Sequence, residues 1–251
     1  MKGIGAKTVV ITGAGRGLGS AFALTFADAG YDLILCGRNR ADLEAVATLA
    51  GRPSGTKPRI VMLDLTNADS VADAAAQISM QTARVDILVN NAAMWLEASP
   101  APYHDADVLA VVNSAISGTF LLFQSLRPLM DRSDTPDLVT IGSISGLPNA
   151  ALQSVSVPFY AAKRGQVALA EGLRQEFAGT RYRSILINPP YLDDARPDQP
   201  HWTAAPDRHK GERATTRDVV EAALFALARP RSISLTIEMD ADDGGLFPSA
   251  G

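Results

Sequence analysis

Cysteine is nearly absent from this sequence: Cys36 is the only one among 251 residues, so the chain cannot form an internal disulfide. Cys36 lies in an apolar run, and we expect a small buried hydrophobic residue rather than a reactive thiol. Without a disulfide framework the fold must depend on a hydrophobic core, and a chain of this length can bury one. The composition is typical of a protein in reducing, cytoplasmic surroundings.

The sequence also lacks an excess of positive charge, a histidine cluster and a long apolar run. Its 23 Lys and Arg residues against 27 Asp and Glu residues give a net charge of −4, which argues against nucleic acid as a partner. The three histidines are scattered without zinc-like spacing, so we expect no metal site. No apolar run approaches the roughly 20 residues that cross a membrane, so we expect no membrane partner.

The chain does contain a regular alternation of strand-like and helix-like segments. Short apolar runs such as TVVIT at 8–12 are typical of strands buried on both faces. Repeated β–α units predict an α/β fold: one Rossmann-type domain over residues 1–251, with a doubly wound parallel sheet of about seven strands flanked by helices. We place strands at 8–12, 31–36, 59–63, 85–90, 137–141, 184–188 and 232–238, and helices at 18–29, 40–50, 67–82, 106–130, 159–178 and 216–228.

Within this domain we expect a cofactor-binding half up to about residue 142, followed by a catalytic and substrate half. The segment 189–213 is rich in Pro, Asp and Arg and is too long for a simple connection in a compact domain. Because it follows the carboxyl end of a predicted strand, we predict that it forms a lid over the substrate.

A glycine-rich segment, TGAGRGLG at 12–19, stands between the first predicted strand and the first predicted helix. Glycines there allow a sharp turn and a close approach of the backbone to a pyrophosphate. The helix that follows offers free N–H groups and the positive end of its dipole. We therefore predict that this loop binds a dinucleotide through Gly13, Arg16, Gly17, Leu18 and Gly19.

The end of the second strand indicates which dinucleotide is bound. Enzymes of this architecture that use NAD usually carry an acid there, which bonds the ribose hydroxyls. Here Gly37 takes that position and Arg38 follows it. An acid would repel a 2′-phosphate, whereas the guanidinium of Arg38, with that of Arg16 nearby, can bind it. The predicted cofactor is NADP(H).

The residues Asp64 and Leu65 follow the third predicted strand. We predict that this pair contacts the adenine, with Asp64 bonding its amino group. The alternative is that Asp64 only caps the next helix.

Further motifs follow the later strands in a characteristic order. The sequence NNAA stands at 90–93, Asn113 lies in the next helix, Ser143 follows the fifth strand and Tyr160 begins a helix. Together with TGAGRGLG, this order resembles the short-chain dehydrogenase/reductase family. The resemblance covers essentially the whole chain, as far as Asp243-Gly244-Gly245.

The resemblance implies a role for each of these residues. Tyr160 would be the general acid/base on the carbonyl or hydroxyl oxygen, Ser143 would hold that oxygen, and Asn113 would support a proton-relay water. In the family a lysine four residues beyond the tyrosine binds the nicotinamide ribose and lowers the tyrosine pKa. A free phenol has a pKa near 10, so a nearby cation is needed to favour the phenolate. The resemblance also places Asn91 and Ala92 against the cofactor.

The lysine is where this sequence departs from the family pattern. The sequence from Tyr160 reads YAAKRG, which puts Arg164 four residues beyond the tyrosine and Lys163 one residue early. On a helix both positions lie on the face of Tyr160. Arg164 is about 40° from it and Lys163 about 60° from it, on opposite sides. Our simplest expectation is that Arg164 replaces the lysine, as catalytic cation and ribose ligand; Lys163 remains the alternative.

Two other segments depart from the family pattern. The spacing from Ser143 to Tyr160 is unusually long, and Ser145 is the alternative catalytic serine. After the sixth strand, Pro189-Pro190 stands where the family usually has Pro-Gly, and Asp193 or Asp194 replaces a threonine. We expect Pro189, with the backbone of Tyr191 and Leu192, to orient the nicotinamide.

These motifs lead to one hypothesis and one alternative. The hypothesis is an NADP(H)-dependent oxidoreductase that moves a hydride between nicotinamide and a small-molecule carbonyl or alcohol, with Tyr160 as general acid/base. The resemblance also implies a homodimer or homotetramer. The alternative, favoured by the altered lysine and proline segments, is a non-catalytic NADP(H)-binding sensor or partner subunit.

Overall fold

Parallel strands form one sheet in the order β3-β2-β1-β4-β5-β6-β7. The computed structural model describes residues 6–54, 57–152 and 154–240; the motif at 243–245 lies outside them. The strands are β1 (Thr8–Thr12), β2 (Asp32–Gly37), β3 (Arg59–Met62), β4 (Ile87–Asn90), β5 (Asp137–Ile141), β6 (Arg183–Asn188) and β7 (Thr236–Glu238). The order reverses between β1 and β4, which creates the crevice where open α/β sheets bind ligands. The predicted fold class is confirmed.

Helices cover both faces of this sheet. They are α1 (Gly17–Asp28), α2 (Arg40–Ser54), α3 (Ala68–Gln81), α4 (Asp105–Val112), α5 (Gly118–Met130), α6 (Val157–Glu176), α7 (Pro200–Ala204) and α8 (Thr216–Leu227). Alternate residues of β1 serve opposite faces, as the two-residue period of a strand requires. Val9 and Ile11 pack with α1, α2 and α8, whereas Val10 packs with α3 and α5.

Several boundaries differ from those that the sequence predicts. The helix predicted at 106–130 is broken into α4, a π-helical turn at Asn113–Ser117, and α5. The last strand is shorter than predicted, because only Thr236–Glu238 pairs with β6. The segment 189–213 contains α7 and a short 3₁₀ turn at Ala205–Asp207 instead of being irregular throughout.

The helical region Asp105–Met130 is long and apolar enough, by length and composition, to cross a membrane, and an 18-residue window within it has a mean hydropathy of 1.7. The sequence contains no unbroken apolar run of this length, because polar residues such as Asn113 and Gln124 interrupt the region. In the structure Leu122 and Leu126 of this region are fully buried in the core beneath the sheet. A helix that covers a parallel sheet needs such an apolar face.

A buried ion pair ties the amino-terminal ends of β5 and β6 together. The Arg183 guanidinium donates to both carboxylate oxygens of Asp137, at 2.8 and 3.1 Å, and both side chains are at most 2% exposed. Arg183 also donates to the carbonyl oxygens of Leu227, the last residue of α8, and of Arg229 just beyond it. The pair thereby joins two strands to the end of a helix.

We predict that Asp137→Ala lowers the free energy of unfolding by about 3–5 kcal/mol, because it leaves the buried guanidinium of Arg183 without its carboxylate. Chemical denaturation followed by circular dichroism measures this loss. The matched control is Glu44→Ala, which breaks an exposed i,i+4 pair with Arg40 and should cost no more than about 0.5 kcal/mol. Equal losses in the two variants would contradict the prediction.

Candidate active site

A groove of about 940 Å³ opens at the carboxyl ends of β1, β2 and β4, at the point where the strand order reverses. It runs from the turn after β2, past the start of α1, to the segment after β4. Ten residues that the sequence predicts as cofactor ligands line it together: Gly13, Arg16, Gly17, Leu18, Gly19, Arg38, Asp64, Leu65, Asn91 and Ala92. It is also lined by residues not predicted from sequence, among them Asn39, Asp42, Thr66 and Ser114.

The glycine loop is shaped so that side chains cannot replace its glycines. Gly13 and Gly17 have φ angles of +66° and +50°, a region that residues with a Cβ rarely adopt. A Cβ on Gly19 would lie 2.0 Å from the carbonyl oxygen of Gly13, so the start of α1 presses directly on the preceding turn. α1 also begins without a side-chain cap or an acid in its first turn. Its free N–H groups therefore remain available to a phosphate.

The Thr12 hydroxyl fixes the glycine loop to the segment after β4. It accepts hydrogen bonds from the backbone N–H groups of Asn91 and Ala92, both at 3.0 Å, and donates to the carbonyl oxygen of Val89. The Asn91 side chain returns a bond to the carbonyl oxygen of Thr12 at 2.9 Å. Two neighbouring strand ends are thus held in register beneath the groove.

At the adenosine end, Arg16 and Arg38 are exposed beside Gly37. Asn39 caps α2, because its side-chain oxygen accepts a hydrogen bond from the N–H of Ala41 at 3.0 Å. Asparagine directly before a helix is a common cap, so this role could be predicted from the sequence. The Asp64 carboxylate accepts from the N–H and hydroxyl of Thr66, so it orders its own loop. The cap of α3 is Asn67 and not Asp64.

The predicted serine lies directly after β5. Ser143 Oγ accepts from the N–H of Ser145 at 3.1 Å and caps a short 3₁₀ turn, Ile144–Gly146. Ser143 is half-buried, whereas Ser145 is only 5% exposed. A ligand has better access to Ser143, which favours it over the alternative. The N–H of Ile144 donates to the carbonyl oxygen of Pro189 and joins this turn to the segment after β6.

The two cations after Tyr160 are placed differently from our expectation. Lys163 is 7% exposed, and its ammonium donates to the carbonyl oxygen of Ile141 and to Gln166 Oε1, at 3.2 and 2.9 Å. Burial lowers the pKa of Lys163 to about 8. Arg164 instead donates to the carbonyl oxygen of Gly146. Lys163 is therefore enclosed at the end of β5, whereas Arg164 is bonded to the turn after β5.

Lys163 has Phe159, and not Tyr160, four residues before it on α6. The Lys163 ammonium lies 6.0 Å from the centroid of the Phe159 ring. The Tyr160 hydroxyl donates to the carbonyl oxygen of Ala150 at 3.2 Å. Among the hydrogen bonds of the described residues, none joins Tyr160 to Ser143, Lys163 or Arg164. The pairing of Tyr160 with a neighbouring cation stays a prediction.

The asparagine predicted from the long helix lies at the break in that helix. Asn113 is the first residue of the π-helical turn, a feature that often marks functional sites. Its neighbour Ser114 lines the groove and accepts from the N–H of Met94 at 3.2 Å. The turn therefore presents Ser114 to the groove, a result that helical periodicity alone does not predict.

The segment after β6 brings an acid to the glycine loop. A Cβ built on Gly17 would lie 3.2 Å from the Asp194 carboxylate. Its neighbours are anchored: Asp193 forms a β-bridge with Thr215, and the N–H of Ala195 donates to Thr216 Oγ1 at 2.9 Å. Asp194 is thus held where the phosphates of a dinucleotide would approach α1.

The predicted nicotinamide-orienting residues near Asp194 have different surroundings. Leu192 packs against the core cluster that contains α1 and α8. The Tyr191 side chain is 56% exposed. The carbonyl oxygen of Pro189 is used by the turn after β5. Their contact with a nicotinamide stays a prediction.

Comparisons with known proteins agree with this geometry. The family model for short chain dehydrogenase matches residues 7–201. An uncharacterized oxidoreductase of Staphylococcus aureus strain USA300 is 30% identical over 230 residues, covering 91% of this chain and 94% of the relative. The chain belongs to the short-chain dehydrogenase family of oxidoreductases.

Solved structures superpose on most of this fold. A short-chain dehydrogenase/reductase from Burkholderia xenovorans has a TM-score of 0.79 at 26% identity and covers 94% of this chain and 96% of its own. A short-chain dehydrogenase from Escherichia coli CFT073, complexed with NADPH, has a TM-score of 0.78 at 25% identity, with coverages of 92% and 95%. An alcohol dehydrogenase from Thermococcus sibiricus, complexed with 5-hydroxy-NADP, shares the fold with a TM-score of 0.79 at 20% identity, with coverages of 96% and 98%.

We predict that Thr12→Val destabilises the protein by about 1–3 kcal/mol, because the N–H groups of Asn91 and Ala92 lose their acceptor. Thr12→Ser keeps the hydroxyl and is the matched control. Urea denaturation of both variants measures the difference. A Thr12→Val variant as stable as Thr12→Ser would show that this hydroxyl does not hold the groove together.

Proposed function

We propose that this chain is an NADP(H)-dependent oxidoreductase that transfers a hydride between nicotinamide and a carbonyl or alcohol substrate. The observation that carries the proposal is the groove, in which a cradle without side chains at Gly13, Gly17 and Gly19 meets the uncapped start of α1. A dinucleotide pyrophosphate fits such a cradle. The relative from Escherichia coli, solved with NADPH, supports the same proposal.

The preference for NADP(H) over NAD(H) is argued from charge. Arg38 and Arg16 line the end of the groove where an adenosine would lie, and Gly37 offers no carboxylate there. A 2′-phosphate carries about −1.5 to −2 charges at neutral pH, if it titrates like other phosphate monoesters. A guanidinium can bind it with two parallel hydrogen bonds.

When bound, NADP(H) supplies or accepts the hydride, and the residues of this chain orient the reactants. In the proposal Ser143 holds the substrate oxygen, since it follows β5 and is more accessible than Ser145. Lys163 is the cation that would reach the nicotinamide ribose, in place of Arg164. The general acid/base role of Tyr160 lacks support, because its hydroxyl is engaged by Ala150.

A second candidate function is a non-catalytic NADP(H)-binding protein. The observation that favours it is Phe159, a ring without an ionisable hydroxyl, opposite the buried Lys163. The two functions are distinguished by an NADPH titration combined with NADPH-oxidation assays on aldehydes, ketones and quinones. Binding without turnover of any acceptor would favour the second candidate.

The proposal also includes a cytoplasmic location and a homodimer or homotetramer. Cys36 is fully buried, and burial raises the pKa of its thiol to about 12, so it stays protonated and suits reducing surroundings. Light scattering on the purified protein measures the number of subunits.

We predict that Arg38→Ala raises the dissociation constant for NADPH by about tenfold or more, because a charge-assisted hydrogen bond to the 2′-phosphate is lost. The dissociation constant for NADH should change by less than about threefold. Isothermal titration calorimetry measures both constants. Arg40→Ala removes an exposed neighbouring arginine and is the control. Equal weakening of NADPH and NADH would count against the proposed phosphate contact.

We also predict that Asp194→Asn tightens NADPH binding by about three- to tenfold, because it removes a carboxylate fixed beside the phosphate position. The control is Asp198→Asn, which removes an acid paired with Arg196 in the same segment. The same titration serves both variants. Weaker binding after Asp194→Asn would mean that this side chain accepts a hydrogen bond from the cofactor.

A further inference from the structure

Three aromatic rings form a cluster beside the groove. Trp95, which lines the groove, lies 4.7 Å from Phe159 and 6.3 Å from Tyr191 between ring centroids. Phe159 is 6% exposed, whereas Trp95 and Tyr191 are 50% and 56% exposed. Exposed aromatic rings that lie together often mark ligand-binding grooves, and they offer broad faces to a planar molecule.

Two cations flank this aromatic cluster. The Lys163 ammonium lies 6.0 Å from the centroid of Phe159, and the Arg213 guanidinium lies 4.4 Å from that of Tyr191. These two cations repel a positively charged substrate. They also stabilise negative charge that develops on a bound substrate during the reaction. The cluster therefore fits a neutral planar molecule that becomes an anion during the reaction.

The ring that stands opposite Lys163 in this cluster cannot give a proton to such a molecule. Phe159 has no hydroxyl, and the Tyr160 hydroxyl is bonded to the carbonyl oxygen of Ala150. Reduction of a simple ketone produces an alkoxide, a strong base, so it needs a general acid that typically contributes 10²–10⁴-fold to the rate. Reduction of a quinone produces a hydroquinone anion, whose conjugate acid is a phenol with an ordinary pKa near 10.

We infer that the substrates of this site are planar conjugated acceptors of the quinone class, rather than simple ketones. The inference rests on the proposed function. In the step, the quinone accepts a hydrogen with its electron pair from the C4–H bond of NADPH. NADPH is oxidised to NADP⁺ and the quinone is reduced to the hydroquinone anion. Water then supplies the proton, so Phe159 is no obstacle.

The test compares two acceptors of the same bicyclic skeleton, 1,4-naphthoquinone and 1-tetralone, by NADPH oxidation with the uncatalysed rate subtracted. We expect the unaltered protein to reduce the quinone and to leave the ketone almost untouched. Phe159→Tyr should raise kcat/KM for the ketone about 100-fold and change that for the quinone by less than about threefold. An equal rise for both acceptors, or no rise for the ketone in a folded variant, would overturn the inference.

Two further variants remove hydroxyl groups and keep the rings. Tyr160→Phe and Tyr191→Phe test whether either phenol supplies the proton, and we expect each to lower quinone reduction by far less than about 100-fold. A loss of about 100-fold in either one would assign the proton to that phenol and overturn the inference. Thermal unfolding confirms that each variant is folded.

Binding gives a readout that does not depend on turnover. Calorimetric titration with 1,4-naphthohydroquinone should show binding to the NADP⁺-saturated protein that Trp95→Ala weakens at least tenfold, whereas Phe225→Ala, which removes an exposed ring on α8 outside the groove, leaves it unchanged. Equal weakening by both variants would overturn the aromatic site. Failure of the proposed function looks different: no NADPH binding, or NADPH binding without turnover of either acceptor in the unaltered protein and in Phe159→Tyr.

Discussion

The approach of Gly19 to the carbonyl oxygen of Gly13 constrains everything built around the groove. Because no side chain stands between them, the first turn of α1 comes within reach of the end of β1, and its N–H groups face the crevice. Thr12 extends the constraint across the sheet by bonding the segment after β4. The close approach of Gly19 to Gly13 thus sets where the regions proposed for the adenosine, the phosphates and the nicotinamide lie along the groove.

Features that depend on neighbouring residues could be predicted from the sequence. Apolar runs of four to six residues identify the strands, since a strand covered on both faces has no polar side to display. The glycine loop, the cap at Asn67 and the arginine after β2 are local patterns as well. These last three features lie in the first half of the chain, where the predicted ligands line one groove together.

Features that depend on tertiary packing could not be predicted. Lys163 and Arg164 lie on the same helix face as Tyr160, so periodicity could not separate them. These cations are held by the carbonyl oxygens of Ile141, at the end of β5, and of Gly146, in the turn that follows, which lie 22 and 18 residues earlier in the sequence. Contacts between distant segments also involve the π-helical turn, where Ser114 is bonded to Met94, and Asp194, which lies against Gly17. In each case a contact between distant segments overrides what the local pattern favours.

The β-bridge between Asp193 and Thr215 has a consequence for how this protein can evolve. It closes the residues between them into a surface loop whose ends are already joined at the start of α8. The entropy of such a loop changes only slowly with its length, so insertions and deletions there cost the fold little. The ligand preferences of this side of the groove can therefore diverge while the dinucleotide half stays unchanged.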